Sequence, residues 1–228
     1  MNKSRMLLIS AVGTLLVTAC RVPIETRPPI ANPTVVGEGL VRGTGADGPA
    51  FLRFEWFYGD RRGDVRGDGA ARFNPTDSLR LDLFTSGEVA MAVALAGSRL
   101  SSIGEIEDVT LPSGPLLFAM AGLFRPEAGA ELEAYEVGLD TVLVYAAGPD
   151  RKLYFFVRGG RLERVEERHR SRLRYKVELT WAAHRRDWPE SAEYRDFGER
   201  SRVRWTIREI RVLEKRYPRD IFALSHSG

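Results

Sequence analysis

The sequence is poor in the residues that build disulfides and metal centres. Cys20 is the only cysteine among 228 residues. Because there is no second thiol, a disulfide within the chain is excluded. The three histidines, His169, His184 and His226, do not lie at the spacing of metal ligands. We therefore predict neither a metal site nor a cofactor.

The chain also lacks the short motifs of common enzyme classes. It has no Gly-x-Ser-x-Gly elbow, no HExxH pair and no phosphate-binding loop. His184 and Asp187, in AAHRRDWPE, could form a catalytic pair, which leaves a hydrolase as one open hypothesis. A solvated loop between strands is the simpler interpretation, so we predict that the protein is not an enzyme.

No apolar run is long enough to span a bilayer, which needs about 20 residues. Met6 to Val17 is a shorter apolar stretch, preceded by the cations Lys3 and Arg5 and followed by small residues. This order is typical of a secretory signal peptide, which we predict over residues 1–19.

The lone cysteine follows this stretch directly. Val17-Thr18-Ala19-Cys20 resembles the lipobox of bacterial lipoproteins. That resemblance implies cleavage before Cys20 and acyl chains, palmitate among them, on and beside its thiol. Two or three chains anchor a protein stably, since each buried methylene contributes about 0.8 kcal/mol. The alternative is an ordinary signal peptide with an incidental cysteine.

The residues around the cysteine suggest where the anchor lies and how it joins the domain. Arg21 stands where Asp retains many lipoproteins in the inner membrane, so by resemblance we expect the periplasmic face of the outer membrane. Residues 20–33 contain four prolines, which favour an extended chain. We predict the acylated cysteine and a tether over 20–33, and one domain over 34–224.

Charge is unevenly distributed along the chain. Residues 20–150 hold 11 Lys or Arg and 19 Asp or Glu, whereas residues 151–228 hold 21 and 12. The basic half could form a face for anionic headgroups or an acidic partner. Alternatively, acidic and basic strands pair within one sheet and their charges cancel. Without Lys3 and Arg5 the net charge of +3 falls to +1, which gives no case for nucleic-acid binding.

Alternation of apolar and polar residues dominates the rest of the chain. It is strict in residues 52–58, 78–84, 172–181 and 202–207, which predicts antiparallel strands with one buried face. The apolar phase slips between Ile207 and Ile210, which predicts a bulge near Glu209. Weaker strands are predicted at 35–42, 65–73, 89–95, 132–137, 142–146, 153–157 and 161–166.

One segment, residues 111–126, shows no alternation and few charges. Ser113 can cap a helix, Pro115 suits its first turn, and Pro126 would end it. Its apolar residues form one helical stripe. We predict a short helix that acts either as a lid over a concave sheet or as an ordinary core helix.

These parts together resemble LolB-like outer-membrane lipoproteins of the LolA/LolB lipoprotein-carrier superfamily. The resemblance is carried by ARFNPTDSLRLDLFTSGEVAMAV (residues 71–93), by LPSGPLLFAMAGLF at the lid position, and by YPRDIFAL (residues 217–224) at the close. It implies a mainly β fold with a few helices, an antiparallel half-barrel of about eleven strands under an apolar lid helix. It also implies a monomer that binds lipoprotein acyl chains or phospholipid, assists lipoprotein transfer, and receives its cargo from a LolA-like periplasmic carrier.

The resemblance and the alternating strands together indicate the lining of the cavity. We predict that it is formed by the sheet residues Leu52, Phe54, Trp56, Leu81, Leu83, Met91, Val93, Tyr175, Val177, Leu179 and Trp181, and by Phe118, Met120 and Leu123 on the lid. Residues 100–109, with Ile103, are the candidate membrane-engaging loop. The same apolar faces would also serve a closed core. The alternative function is therefore an envelope scaffold or interaction lipoprotein without a cavity.

Overall fold

A computed structural model of the chain describes residues 24–44, 48–74, 78–97, 99–104, 111–127, 129–182 and 188–224. The predicted signal peptide, Cys20, His184 and Asp187 lie outside these ranges, as does most of the candidate loop after Ile103. Ile103 itself lies on a strand and is half-buried.

Twelve strands form one continuous antiparallel sheet, with the order β5-β4-β3-β2-β1-β12-β11-β10-β9-β8-β7-β6. The strands are β1 (Ala50–Gly59), β2 (Asp64–Asn74), β3 (Ser78–Thr85), β4 (Glu88–Ala96), β5 (Arg99–Gly104), β6 (Glu133–Val137), β7 (Asp140–Ala146), β8 (Arg151–Arg158), β9 (Arg161–His169), β10 (Arg172–Thr180), β11 (Ser191–Asp196) and β12 (Ser201–Val212). The sheet does not close into a barrel, because β5 and β6 are its two edges. The predicted mainly β half-barrel is confirmed, with one strand more than the eleven expected.

Ten of the twelve strands coincide with predicted segments, and β5 and β11 were missed. The predicted bulge is confirmed in the pairing of β1 with β12. Arg53 faces Glu209 and Phe54 faces Ile207, so Arg208 is the extra residue. This bulge keeps Ile207 and Trp205 on the same face as Phe54 after the slip in apolar phase.

The strand predicted at 35–42 is wrong, because these residues belong to helix α1 (Pro33–Gly43). Pro33 occupies the first turn, where its missing N–H costs nothing. Leu40 is buried, and Gly37 packs so closely on β6 and β7 that a Cβ would lie 2.7 Å from Leu132. The β-branched valines of this segment favour a strand, but the packing selects a helix.

The apolar segment forms helix α2 (Gly114–Met120), which we call the lid helix. Ser113 precedes it and Pro115 lies in its first turn, as predicted. It ends before Pro126 because the backbone at Gly122 adopts φ 79°, which favours glycine. Each residue from Pro115 to Met120 is buried, so the lid helix fills the concavity instead of capping it.

Part of the predicted tether packs on the domain. Ile24 is buried in a second apolar cluster on the outer face of β6–β8, with Tyr135 and Phe156. Pro29 bridges to Tyr135, and the Ile30 amide donates to the Ala134 carbonyl over 2.7 Å. Residues 24–30 thereby cover the edge strand β6, which would otherwise expose unpaired backbone groups.

The main core lies between the concave face of the sheet and the two helices. The sheet, both helices and both apolar clusters are formed by described residues between 24 and 224, so we expect this range to fold as one unit. Among the residues that the structure describes, no helix has the length and apolar character that crossing a bilayer requires.

Candidate functional site

An apolar cavity of about 60 Å³ lies between the lid helix and the concave face of the sheet. Its walls come from β1–β4, β11 and β12, and the side chains of Leu117 and Met120 close it from the lid helix. The wall reaches solvent at Val65, whose exposed fraction is 43%. Nearly all of this surface is hydrocarbon or aromatic, which suits an apolar ligand and does not suit water.

Glycines on β2 make room for Phe54 and Trp56 of β1, which together with Trp205 of β12 form what we call the aromatic wall. Trp56 faces Gly67 and Phe54 faces Gly69 across the β1–β2 pair. A Cβ at Gly69 would lie 2.3 Å from the Phe54 ring, and one at Gly67 would lie 1.9 Å from the Phe84 carbonyl oxygen. The indole of Trp56 donates to the Asp68 carbonyl oxygen over 2.9 Å, so its polar atom is satisfied.

The aromatic wall continues onto β12. The rings of Phe54 and Trp205 stack with centroids 4.5 Å apart and an angle of 25° between their planes. Both side chains are almost fully buried. Stacked pairs of this kind stabilise beyond the area that they bury, so Phe54 supports Trp205, which lines the cavity.

Hydrogen bonds fasten both ends of the lid helix. The Ser113 hydroxyl donates to the Glu167 carboxylate on β9 over 3.2 Å. At the other end, the Phe124 amide donates to the Thr44 hydroxyl over 2.9 Å, and that hydroxyl donates to the Leu40 carbonyl of α1 over 2.7 Å. We call this arrangement the closed state, because moving the lid helix off the cavity would break at least one of these bonds.

Glu167 is a charged group at the inner face of the sheet. Its side chain is 2% exposed. The second carboxylate oxygen faces the imidazole of His169 at 2.9 Å and the guanidinium of Arg151 at 3.9 Å. These partners compensate the burial of the carboxylate, so the acceptor for Ser113 is held in place.

Tyr194, which lines the cavity, carries an unmatched polar atom. Its ring lines the cavity and stacks on Tyr175 at 5.9 Å. Its hydroxyl is buried without a hydrogen-bond partner among the described residues, as is one carboxylate oxygen of the neighbouring Asp196. Burial, followed by the charge of Asp196, raises the pKa of Tyr194, so the hydroxyl stays protonated and can act as a donor.

The structure brings six of the predicted lining residues to the cavity: Trp56, Leu81, Leu83, Met91, Val93 and Met120. The other predicted positions lie in the surrounding core and do not reach the cavity. Of these, Leu52, Phe54, Phe118, Leu123, Val177 and Leu179 are buried, while Tyr175 and Trp181 are half-buried against the same cluster. Whether any of them contacts a ligand stays a prediction.

The sequence prediction missed eight lining residues. Five lie on strands: Tyr58, Val65, Tyr194, Val203 and Trp205. Three belong to the lid helix and its approach: Leu111, Pro112 and Leu117. Alternation in residues 202–207 already placed Val203 and Trp205 on the buried face, but Tyr194 lies on the unpredicted strand β11 and gave no comparable signal.

The described residues offer no other obvious chemical centre. Within these ranges no group of three or more His, Cys, Asp or Glu side chains is arranged to hold a metal ion. The predicted lipidation site, Cys20, and the hypothetical pair His184 and Asp187 lie outside them. The cavity and its lid helix are therefore the candidate functional site.

Comparison by sequence finds no relative: no protein-family model matches the chain, and no curated protein matches it significantly. Comparison by structure finds proteins of similar fold. A LolA superfamily protein from Nitrosomonas europaea superposes with a TM-score of 0.59 at 11% identity, covering 86% of this chain and 99% of its own. A putative outer membrane lipoprotein-sorting protein domain from Vibrio parahaemolyticus gives 0.58 at 9% identity, covering 82% and 94%.

A DUF1329 family protein from Desulfovibrio piger is also similar, with a TM-score of 0.54 at 10% identity over 85% of this chain and 98% of its own. Identities this low show the shared fold alone. The open antiparallel sheet wrapped around an apolar helix is therefore the fold of LolA superfamily proteins, as the sequence resemblance predicted.

Proposed function

We propose that this protein is a non-enzymatic carrier that binds the acyl chains of lipids or lipoproteins between its sheet and its lid helix. The observation that carries the proposal is the apolar cavity closed by Leu117 and Met120 of a separate helix. An acyl chain needs an apolar concavity and few polar partners. The shared fold supports the proposal, because the similar structures include a putative outer membrane lipoprotein-sorting domain.

The cavity in the closed state is too small for such cargo. Its volume of about 60 Å³ is several times below the roughly 300 Å³ at which ligand pockets begin. Binding an acyl chain therefore requires the lid helix to move out of the concavity. The bonds at Ser113 and Thr44 are the polar contacts that such a movement has to break.

We further propose that acylated Cys20 anchors the chain at the periplasmic face of the outer membrane. Residues 24–30 pack on the domain, and Ile24 lies four positions after Cys20, with three residues between them. Four residue steps span at most about 14 Å, so the anchor would hold the domain close to the bilayer. At that position the carrier would receive cargo from a LolA-like periplasmic protein and assist its insertion.

A scaffold with a closed core is the second candidate function. The small cavity and the complete burial of the lid helix favour it. The two candidates differ in one property, since a carrier admits an acyl chain and a closed core does not.

The test is native mass spectrometry of residues 21–228, purified without detergent and then incubated with fatty acid or diacyl phospholipid. We expect a lipid-sized mass adduct that is lost in Leu83→Trp, which fills the cavity from its half-buried rim. Val212→Trp, which introduces the same ring at an exposed site outside the cavity, should retain the adduct. If the unmodified chain takes up no lipid after incubation, the scaffold replaces the carrier.

A further inference from the structure

Many arginines on the outer face of the sheet pair with carboxylates, some on an adjacent strand and others on their own strand. Arg208 pairs with Glu55 over 2.7 Å, Arg53 with Glu209 over 3.7 Å, and Arg158 with Asp140 over 2.7 Å. These three pairs join neighbouring strands, as the alternative interpretation of the charge distribution predicted for the sheet. The balance of charge fails at one end of the sheet, which carries the turns at residues 60–63 and 197–200 and which we call the hairpin end.

Phe57 is the centre of the unbalanced region. On β1 it faces Arg66 of β2 and Arg204 of β12 in register. The guanidinium carbons of Arg66, Arg202 and Arg204 lie 5.3, 5.0 and 5.7 Å from the centroid of its ring. Cation–π attraction holds the three side chains over one half-buried aromatic ring.

Two of these arginines form no ion pair with a described residue. Within the described part of the chain, neither Arg202 nor Arg204 has a carboxylate within 4.0 Å, whereas Arg66 pairs with Asp64. On β11, Arg202 lies directly opposite Arg195, and Arg204 lies opposite Glu193, whose carboxylate pairs with Arg195 instead. Like charges directly opposite each other destabilise a sheet, so an external anion would relieve this group.

The arginines surround an open groove of about 950 Å³ between the two turns. Seven arginines and three aspartates line it. A second Phe–Arg cluster shows that the imbalance is local. At the other end of the sheet Phe51 carries Arg72 and Arg211, and these pair with Asp82 and Glu209.

Exposed apolar side chains accompany the charge at the hairpin end. Val65 is 43% exposed, Phe197 in the β11–β12 turn is 45% exposed, and Val89 at the start of β4 is 58% exposed. Val65 also lines the cavity, so the mouth lies at this end. Arginines next to exposed apolar residues are the composition of surfaces that lie at a membrane interface, with guanidinium groups on headgroups and apolar groups below.

We propose that the hairpin end docks on a bilayer through the phosphates of anionic phospholipids. Arg202 and Arg204 donate to phosphate oxygens, for which the guanidinium fork is well shaped. Phe197 and Val65 enter the boundary between headgroups and acyl chains. Docking turns the mouth of the cavity towards the membrane. The proposal goes beyond carriage of cargo, because it requires neither an occupied cavity nor an acylated cysteine.

The test is sedimentation of residues 21–228 with vesicles of phosphatidylcholine alone or mixed with phosphatidylglycerol. Residues 21–228 contain no cysteine, so no lipid anchor contributes. We expect binding to the mixed vesicles only, weakened by salt because salt screens exposed charges. The double variant Arg202→Gln/Arg204→Gln should bind about tenfold or more weakly, since each surface arginine contributes at the level of a several-fold change in affinity.

The matched control is Arg53→Gln/Arg211→Gln, which removes the same charge from the other end of the outer face and also removes one arginine from a phenylalanine. It should bind nearly as well as the unmodified chain. Equal loss in both double variants, or no binding of the unmodified chain to anionic vesicles, overturns the proposal. Lipid uptake measured on the same proteins separates the two hypotheses. A chain that docks but takes up no acyl chain contradicts only the carrier function.

Discussion

Ser113 donates a hydrogen bond to Glu167 across 3.2 Å, which joins the start of the lid helix to strand β9. No side-chain cap satisfies the first turn of this helix, because the hydroxyl that could cap it is used for this contact. The bond therefore acts between elements and not within the helix. Glu167 also keeps His169 as a partner, so the bond to Ser113 can break without leaving the buried carboxylate unpaired.

The first prediction concerns this bond. Ser113→Ala should lower the free energy of unfolding by about 1 kcal/mol, the usual contribution of one hydrogen bond. It should also speed the uptake of an acyl probe, since the closed state loses a contact that the open state does not have. Denaturant unfolding and stopped-flow uptake of a polarity-sensitive fatty-acid probe measure the two effects.

Ser102→Ala is the control, since it removes the same hydroxyl from an exposed position on β5. It should alter neither quantity. If Ser113→Ala lowers stability while the uptake rate stays the same, the bond stabilises the fold without restraining the lid helix.

The second prediction concerns the glycines beneath the aromatic wall. Gly69→Ala should destabilise by roughly 1–3 kcal/mol, because its Cβ would lie 2.3 Å from the Phe54 ring and force the Phe54–Trp205 stack to shift. Gly39→Ala, in α1 with open space around its Cα, should instead stabilise by about 0.5–1 kcal/mol through helix propensity. Chemical denaturation of the pair should give changes of opposite sign. A neutral Gly69→Ala would mean that the wall repacks freely.

Most of the sheet could be predicted from the sequence because its strands have one wet face. Leu79 and Leu81 alternate with Arg80 and Asp82, and this pattern is visible without any neighbour. The edge strand β5 lacks this alternation, because two polar residues, Ser101 and Ser102, follow each other where an apolar and a polar residue would alternate. Helix α1 was predicted as a strand because its helical conformation depends on contacts with Leu132. That residue lies far away in the sequence, so the local pattern does not reveal the contacts.

The site was predicted less completely than the fold, for a physical reason. Alternation shows which face of a strand is buried, but Leu52 and Trp56 share one face and only Trp56 reaches the cavity. The difference depends on where the lid helix sits along the strand. That position is fixed by two hydrogen bonds. One joins Ser113 to Glu167, 54 residues apart, and the other joins Phe124 to Thr44, 80 residues apart, so neither leaves a pattern in the local sequence.

The third prediction is a pH dependence of the packed N-terminal segment. Burial raises the pKa of Glu25, but hydrogen bonds from Tyr154 and from its own amide, together with the charge of Lys152, outweigh burial and lower it. A carboxyl whose pKa is lower in the packed segment than in the unfolded chain stabilises the packed segment at pH values above the unfolded pKa. That stabilisation is lost as the pH falls through the lowered value. The segment should therefore loosen in acid below the ordinary range of a glutamate.

Hydrogen exchange of the Ile30 amide, which donates to Ala134, reports this loosening when the rate at each pH is divided by the intrinsic rate of an unprotected amide. Glu25→Gln should lower this protection at neutral pH and remove its dependence on the ionisation of residue 25. Glu38→Gln, at an exposed position of α1, should leave both unchanged. Exchange in Glu25→Gln that matches the unmodified chain at every pH would show that the apolar contacts of Ile24 hold the segment alone.

The last prediction compares two buried tyrosines. The Tyr194 hydroxyl has no partner among the described residues, whereas the Tyr145 hydroxyl accepts a hydrogen bond from the Glu127 amide over 3.3 Å. Both side chains are almost fully buried, so the same change to phenylalanine removes one unmatched and one matched group. Tyr194→Phe should raise the free energy of unfolding by about 1 kcal/mol and Tyr145→Phe should lower it by a similar amount.

The cost of the unmatched hydroxyl would be compensated if bound cargo met it. Because the ring lines the cavity, the hydroxyl can donate to an ester or amide carbonyl at the head of an acyl chain. Tyr194→Phe should then weaken binding of an acyl ester several-fold and leave binding of an alkane of equal length unchanged. Titration of both ligands against both proteins measures this difference. An equal change for ester and alkane would show that the hydroxyl does not recognise the head of the cargo.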